Sequence, residues 1–157
     1  MKFMSDFVTN SSSSSFICAF KSEKDFISKM GKFAEDYPSA MGIVYRDILE
    51  NKKTRKEILE SVKESIYKDV DGLYIWGYES PMRNYIYEKK QKDKNYWPCT
   101  DPIIKKEINK EVSKRMKEFE ESLPKRAMYS EVEYGDCPLE YDIMPYQDFV
   151  IKVCNHH

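Results

Sequence analysis

The first apolar run, Phe16-Ile17-Cys18-Ala19-Phe20, stops at polar Lys21-Ser22 and reads as a buried strand. Ser22 then predicts a helix start, with Asp25 three residues on as a variant capping box. Phe26, Met30 and Phe33 recur at i, i+4 and i+7 and give that helix its inner face, until Pro38 ends it. A second helix is expected over about 39–50, with Met41, Val44, Tyr45 and Ile48 on one side. Thr54 and Glu57 form a proper capping box for a third, whose stripe is Ile58, Leu59, Val62 and Ile66. Asp71-Gly72 is a turn signal, and Leu73-Tyr74-Ile75-Trp76 after it predicts a second strand. Ser80-Pro81 has the chemistry of another helix start. Residues 82–91 stay open between helix and strand, because Tyr85, Ile86 and Tyr87 suit a strand equally well. Residues 88–98 show no period and are expected to be a loop.

The clearest element follows Asp101-Pro102. Ile104, Ile108, Val112, Met116, Phe119 and Leu123 hold a helical stripe until Pro124. Met128 to Tyr134 alternate as a strand should, Gly135-Asp136 turns the chain, and Phe149 to Val153 reads as a last strand. The expected fold is a single α+β domain over 1–157. It has a small, mostly antiparallel sheet of three or four strands packed by helices, including one long helix at about 102–123.

Composition adds to this picture at a few points. A chain of 157 residues that is 41% hydrophobic has enough apolar material for a core. No stretch approaches the length needed to span a bilayer, and the N-terminus lacks a secretory apolar region, so a cytoplasmic protein without membrane contact is expected. Cys18, Cys99, Cys137 and Cys154 are widely spaced and read as reduced thiols. The net charge is −1, so no global field draws in nucleic acid. Lys and Arg are in excess over 83–126 and acids over 127–157, which is expected of segments that lie near one another in one fold.

Asp6 to Ile17 reads DFVTNSSSSSFI. This segment resembles an N-terminal signature carried by many small, mutually dissimilar proteins of Gram-positive bacteria and their mobile elements. The resemblance covers about a dozen residues and implies a bacterial or mobile-element setting, with no particular activity. Physically, Ser11 to Ser15 would be a flexible linker or, better, a polar lead-in to the first strand.

Catalytic signatures are missing. The only histidines are His156 and His157, and no Gly-rich phosphate loop, H-E-x-x-H or G-x-S-x-G occurs. S-x-x-K appears at Ser65–Lys68 and Ser122–Lys125, about as often as chance allows. No catalytic residue and no cofactor are assigned. Weak metal candidates are the carboxylates Glu131 and Glu133, on one face of an expected edge strand, and the terminal Cys154 with His156 and His157. Asp71, Glu88 and Lys90 could be imagined as a nuclease constellation. The segment 83–97 interleaves Arg83, Lys89, Lys90, Lys92 and Lys94 with Tyr85, Tyr87, Tyr96 and Trp97, which is what binding of single-stranded nucleic acid needs. A surface loop with its rings tucked inward is the plainer expectation there, and the cationic run is short. The sequence points to a non-enzymatic intracellular accessory protein that binds a macromolecular partner, expected to be a protein. A single-stranded nucleic-acid binder or metal-dependent nuclease using 83–97 is the alternative.

Overall fold

A computed structural model of the chain describes residues 13–135, 138–143, 145–146 and 148–156. The elements are β1 (Ser13–Phe20), α1 (Glu23–Asp36), α2 (Pro38–Glu50), β2 (Lys52–Lys53), α3 (Arg55–Trp76), α4 (Arg83–Lys92), a 3-10 turn (Pro98–Thr100), α5 (Pro102–Ser122), β3 (Met128–Gly135), α6 (Pro138–Ile143) and β4 (Val150–His156). The fold is α+β, with an antiparallel sheet in the order β2-β3-β1-β4. The chain divides into two compact units. Unit one takes the chain up to Ile58 and again from Pro124, and unit two is Leu59–Leu123.

Unit one is built on β1, an inner strand in which every residue from Ser14 to Phe20 is buried. The serines of the expected lead-in therefore belong to the strand from Ser13 onward, while Ser11 and Ser12 lie outside the described residues. Phe16, Cys18 and Phe20 pack with Val132, Tyr134 and Val150 of the sheet and with Phe26, Met30 and Phe33 of α1. α2 adds Ala40, Val44 and Ile48 to the same cluster. The rings interlock: Phe20 meets Phe26 edge-on at 4.9 Å, and Phe33 meets Tyr146 edge-on at 4.8 Å. Such pairs add specificity to the burial of large apolar area.

Local signals set the helix starts as expected. The Ser22 hydroxyl accepts from Asp25 N at 3.1 Å, and the Asp25 carboxylate accepts from Lys21 N at 2.8 Å. Thr54 and Glu57 complete a reciprocal capping box, at 2.7 Å from Thr54 N to Glu57 and 3.2 Å from Glu57 N to Thr54. Buried Ser130 ties β3 to α2 by donating towards the Ile48 and Asn51 carbonyls at 2.9 and 3.1 Å.

Three expectations are corrected. Leu73 to Trp76 is the last turn of α3 and not a strand, and Asp71-Gly72 lies inside that helix. The apolar stripe simply continues through Val70 and Ile75, both buried, and one glycine costs a helix only about 1 kcal/mol. The chain leaves the helix at Gly77, where a Cβ would stand 2.5 Å from the Leu73 carbonyl oxygen. The fourth strand is instead the two-residue edge β2, pairing Lys52 and Lys53 with Ser130 and Tyr129. Residues 83–92, left open between strand and helix or expected as loop, form α4. β4 also begins one residue later than expected and runs on to His156, so Asn155 and His156 pair with Ser14 and Ser13.

Unit two contains the rest of α3, α4 and the long α5 expected from the stripe. Ile104, Ile108 and Val112 of α5 are buried. α5 is opened by Asp101, whose carboxylate accepts from Ile103 N at 2.8 Å, with Pro102 in its first turn. No helix among the described residues is long and apolar enough to cross a membrane.

Candidate interaction surface of unit two

Asp101 organises this surface. Besides capping α5, its second oxygen accepts from the hydroxyls of Tyr96 at 2.8 Å and Tyr85 of α4 at 3.1 Å. Burial pushes the Asp101 carboxyl upward, but the hydrogen bonds from Tyr96, the Ile103 N–H, Tyr85 and the Ile104 N–H outweigh it. The carboxyl is held below its ordinary value. The same burial and the neighbouring carboxylate push the Tyr96 phenol well above its usual range. Asp101 is thus a fixed anion, and the start of α5, the end of the 93–97 turn and α4 are tied together through it.

With Tyr85 and Tyr96 held there, the other rings of the region are left on the outside. Trp97 is 53% exposed and Trp76 is 60% exposed, and their rings meet edge-on at 5.8 Å. Next to Trp76 in the chain, Tyr78 is 87% exposed, with the Arg83 guanidinium 5.8 Å from its ring centre. Arg83 also donates to the Tyr78 carbonyl at 3.2 Å. Tyr87 of α4 is exposed as well.

The residues singled out in 83–97 therefore fall into two sets. Tyr85 and Tyr96 are structural, half-buried and hydrogen-bonded. Lys89 lies over the Tyr85 ring at 5.4 Å from its centre. Lys90, Lys92, Lys94 and Trp97 are exposed, and none of the three lysines makes an ion pair among the described residues. The expected rings tucked onto the core are only half of what the structure shows.

A second cationic surface was not singled out from the sequence. From Pro102 to Lys117, the exposed charged side chains of α5 are Lys105, Lys106, Lys110, Lys114 and Lys117. The carboxylates of that stretch, Glu107 and Glu111, are half-buried, and Glu111 is paired with Arg115 at 2.8 Å. The signal was present as lysines spaced i, i+4 opposite the apolar stripe, but a count of net charge hides it.

The metal candidates are not brought together. Glu131 is half-buried on β3 and bonded to Lys53 at 2.6 Å, while Glu133 is exposed. β3 is not an edge strand, since it lies between β2 and β1. Cys154 is buried in β4, and the His156 side chain and all of His157 lie outside the described residues. Asp71 sits in α3, and Glu88 and Lys90 sit in α4. Among the described residues no three His, Cys, Asp or Glu side chains are placed to hold an ion. Among the described residues Cys18, Cys99 and Cys154 form no disulfide, and burial pushes the Cys18 thiol far above its ordinary value. Cys137 lies outside the described residues.

Unit one has a cleft of about 530 Å³ lined by Lys32, Asp36, Tyr37, Pro145, Tyr146 and Asp148. Its polar groups are used on one another. Lys32 pairs with Asp148 at 2.9 Å, and the Tyr146 hydroxyl donates to Asp36.

Comparison with known protein families, with curated proteins and with solved structures gives no match to this chain.

Proposed function

We propose that this chain is a non-enzymatic accessory protein of the cell interior that works by binding a macromolecular partner through the exposed aromatic and lysine-rich surface of unit two. The observation that carries this reading is the exposure, in one unit, of Trp76, Tyr78, Tyr87 and Trp97 and of lysines that make no ion pair among the described residues. Large aromatic side chains in water gain nothing for the fold, and they are the residue types that dominate binding energy at interfaces. The lysines favour a partner that carries negative charge. The N-terminal signature, by its resemblance, supports a bacterial or mobile-element setting.

The test is capture from host extract with the intact chain and with a Trp76→Ser, Tyr78→Ser, Trp97→Ser variant of unchanged circular dichroism. A partner retained by the first and lost by the second is expected. If the variant holds every partner that the intact chain holds, this surface is not the binding surface.

A further inference from the structure

We propose that the solvent face of α5, together with Trp97 on its N-terminal approach, is a binding track for single-stranded nucleic acid. The inference rests on the reading of unit two as a binding surface and names its partner class.

The first support is charge complementarity. Lys106, Lys110 and Lys114 stand four residues apart on one helix face, so they rise about 6 Å from one to the next. That is a row of cations with a step close to that of successive backbone phosphates. Lys105, Lys106, Lys110 and Lys114 make no ion pair among the described residues, and Lys117 reaches Glu121 only at 4.0 Å. The row is therefore available to an external anion. The chain's net charge of −1 does not cancel it, because at physiological salt charges are screened beyond about 8 Å.

The second support is the aromatic side. A polyanion without bases, such as an acidic peptide, would be served by the lysines alone. Trp97 stands four residues before the cap Asp101, and Tyr96 beside it is bonded to that cap. Trp97 is more than half exposed, on the segment that leads directly into the helix carrying the lysine row. An exposed flat ring close in the chain to a row of cations supplies both elements of single-strand binding, a surface for a base to stack on and charges for its backbone. Lys90, Lys92 and Lys94, just before Trp97 in the chain, add further exposed positive charge.

The experiment is an anisotropy titration of the full chain with labelled oligothymidylate and oligouridylate of about 20 nucleotides, longer than one binding site. Labelled poly-L-glutamate of similar length is the control. Binding to the oligonucleotides is expected to weaken steeply with salt. A Lys106→Gln, Lys110→Gln, Lys114→Gln variant should lower the slope of log affinity against log salt by about 2, at roughly 0.7 per lost phosphate contact. Trp97→Ala should bind the oligonucleotides roughly five- to one-hundred-fold more weakly and lose tryptophan quenching, with poly-L-glutamate affinity unchanged. Equal affinity for poly-L-glutamate and oligonucleotide, insensitive to Trp97→Ala, would overturn the nucleic-acid assignment and leave the interaction reading intact. No binding of oligonucleotide even at about 0.05 M salt would overturn it too, and the capture experiment would then judge the broader reading separately.

Discussion

The two units use aromatic residues in opposite ways. In unit one no described aromatic side chain is exposed, and Phe16, Phe20, Phe26, Phe33 and Phe149 are buried in one cluster. In unit two none of the nine aromatic side chains is buried, and the core consists of aliphatic residues such as Val62, Ile66, Val70, Ile104 and Ile108. A sheet offers broad flat surfaces that rings fill well. Helix–helix contacts are filled by branched aliphatics, which interdigitate as ridges and grooves. Unit two builds its buried core from these aliphatics, ties Tyr85 and Tyr96 to Asp101, and leaves Trp76, Tyr78, Tyr87 and Trp97 exposed. The contrast separates aromatic residues that hold the fold from those available to a partner.

The largest effect is expected for Phe33→Ala. Phe33 is fully buried against Tyr37, Tyr146 and Phe149, and its truncation should cost about 3–5 kcal/mol in urea unfolding. Both tryptophans of the chain lie in unit two, so tryptophan fluorescence reports that unit alone while far-ultraviolet circular dichroism reports both. An equal shift of the two signals would show that the units unfold together. A shift confined to circular dichroism would show that they unfold separately.

Next comes the aliphatic core of unit two. Ile108→Ala should cost about 2–4 kcal/mol by the tryptophan signal, since Ile108 is 1% exposed. An unchanged midpoint would mean that the α5 stripe is not the core of that unit.

Asp101→Asn should have a smaller effect, about 1–2 kcal/mol at neutral pH, through a weakened cap and weaker acceptance from the two tyrosines. The folded carboxyl lies below its unfolded value of about 3.9. Its contribution is therefore complete above that value and is lost as pH falls through the lower folded one. Wild type and variant should converge in acid. A gap that stays constant with pH would show that the charge of Asp101 contributes nothing.

The smallest effect is expected for Trp97→Ala, within about 0.5 kcal/mol of wild type despite the loss of the largest side chain. A cost approaching that of Phe33→Ala would place Trp97 with the core rings.

Much of this architecture was legible along the chain. Ser22, the Thr54–Glu57 box and Asp101-Pro102 mark helix starts by hydrogen bonds made within four residues, so sequence alone carries them. The stripes of α1 and α5 and the alternation of β3 are local periods and were equally plain. Other features depend on neighbours distant in sequence. Leu73 to Trp76 favours strand locally but continues a helix already nucleated and packed from Ile58 onward, and propagation adds a hydrogen bond per residue with no new nucleation cost. Lys52-Lys53 becomes a strand only because β3 offers it backbone partners. Similarly, Tyr85, Tyr87, Tyr96 and Trp97 look alike in the sequence. The Asp101 carboxylate is what draws the hydroxyls of Tyr85 and Tyr96 inward and leaves Tyr87 and Trp97 to solvent. The chain order carried the helix starts that are capped locally, at Ser22, Thr54 and Asp101, and the stripes that supply the core. Which rings entered the core depended on packing, because burial is settled by the space that packed elements leave and not by the apolar character of a side chain.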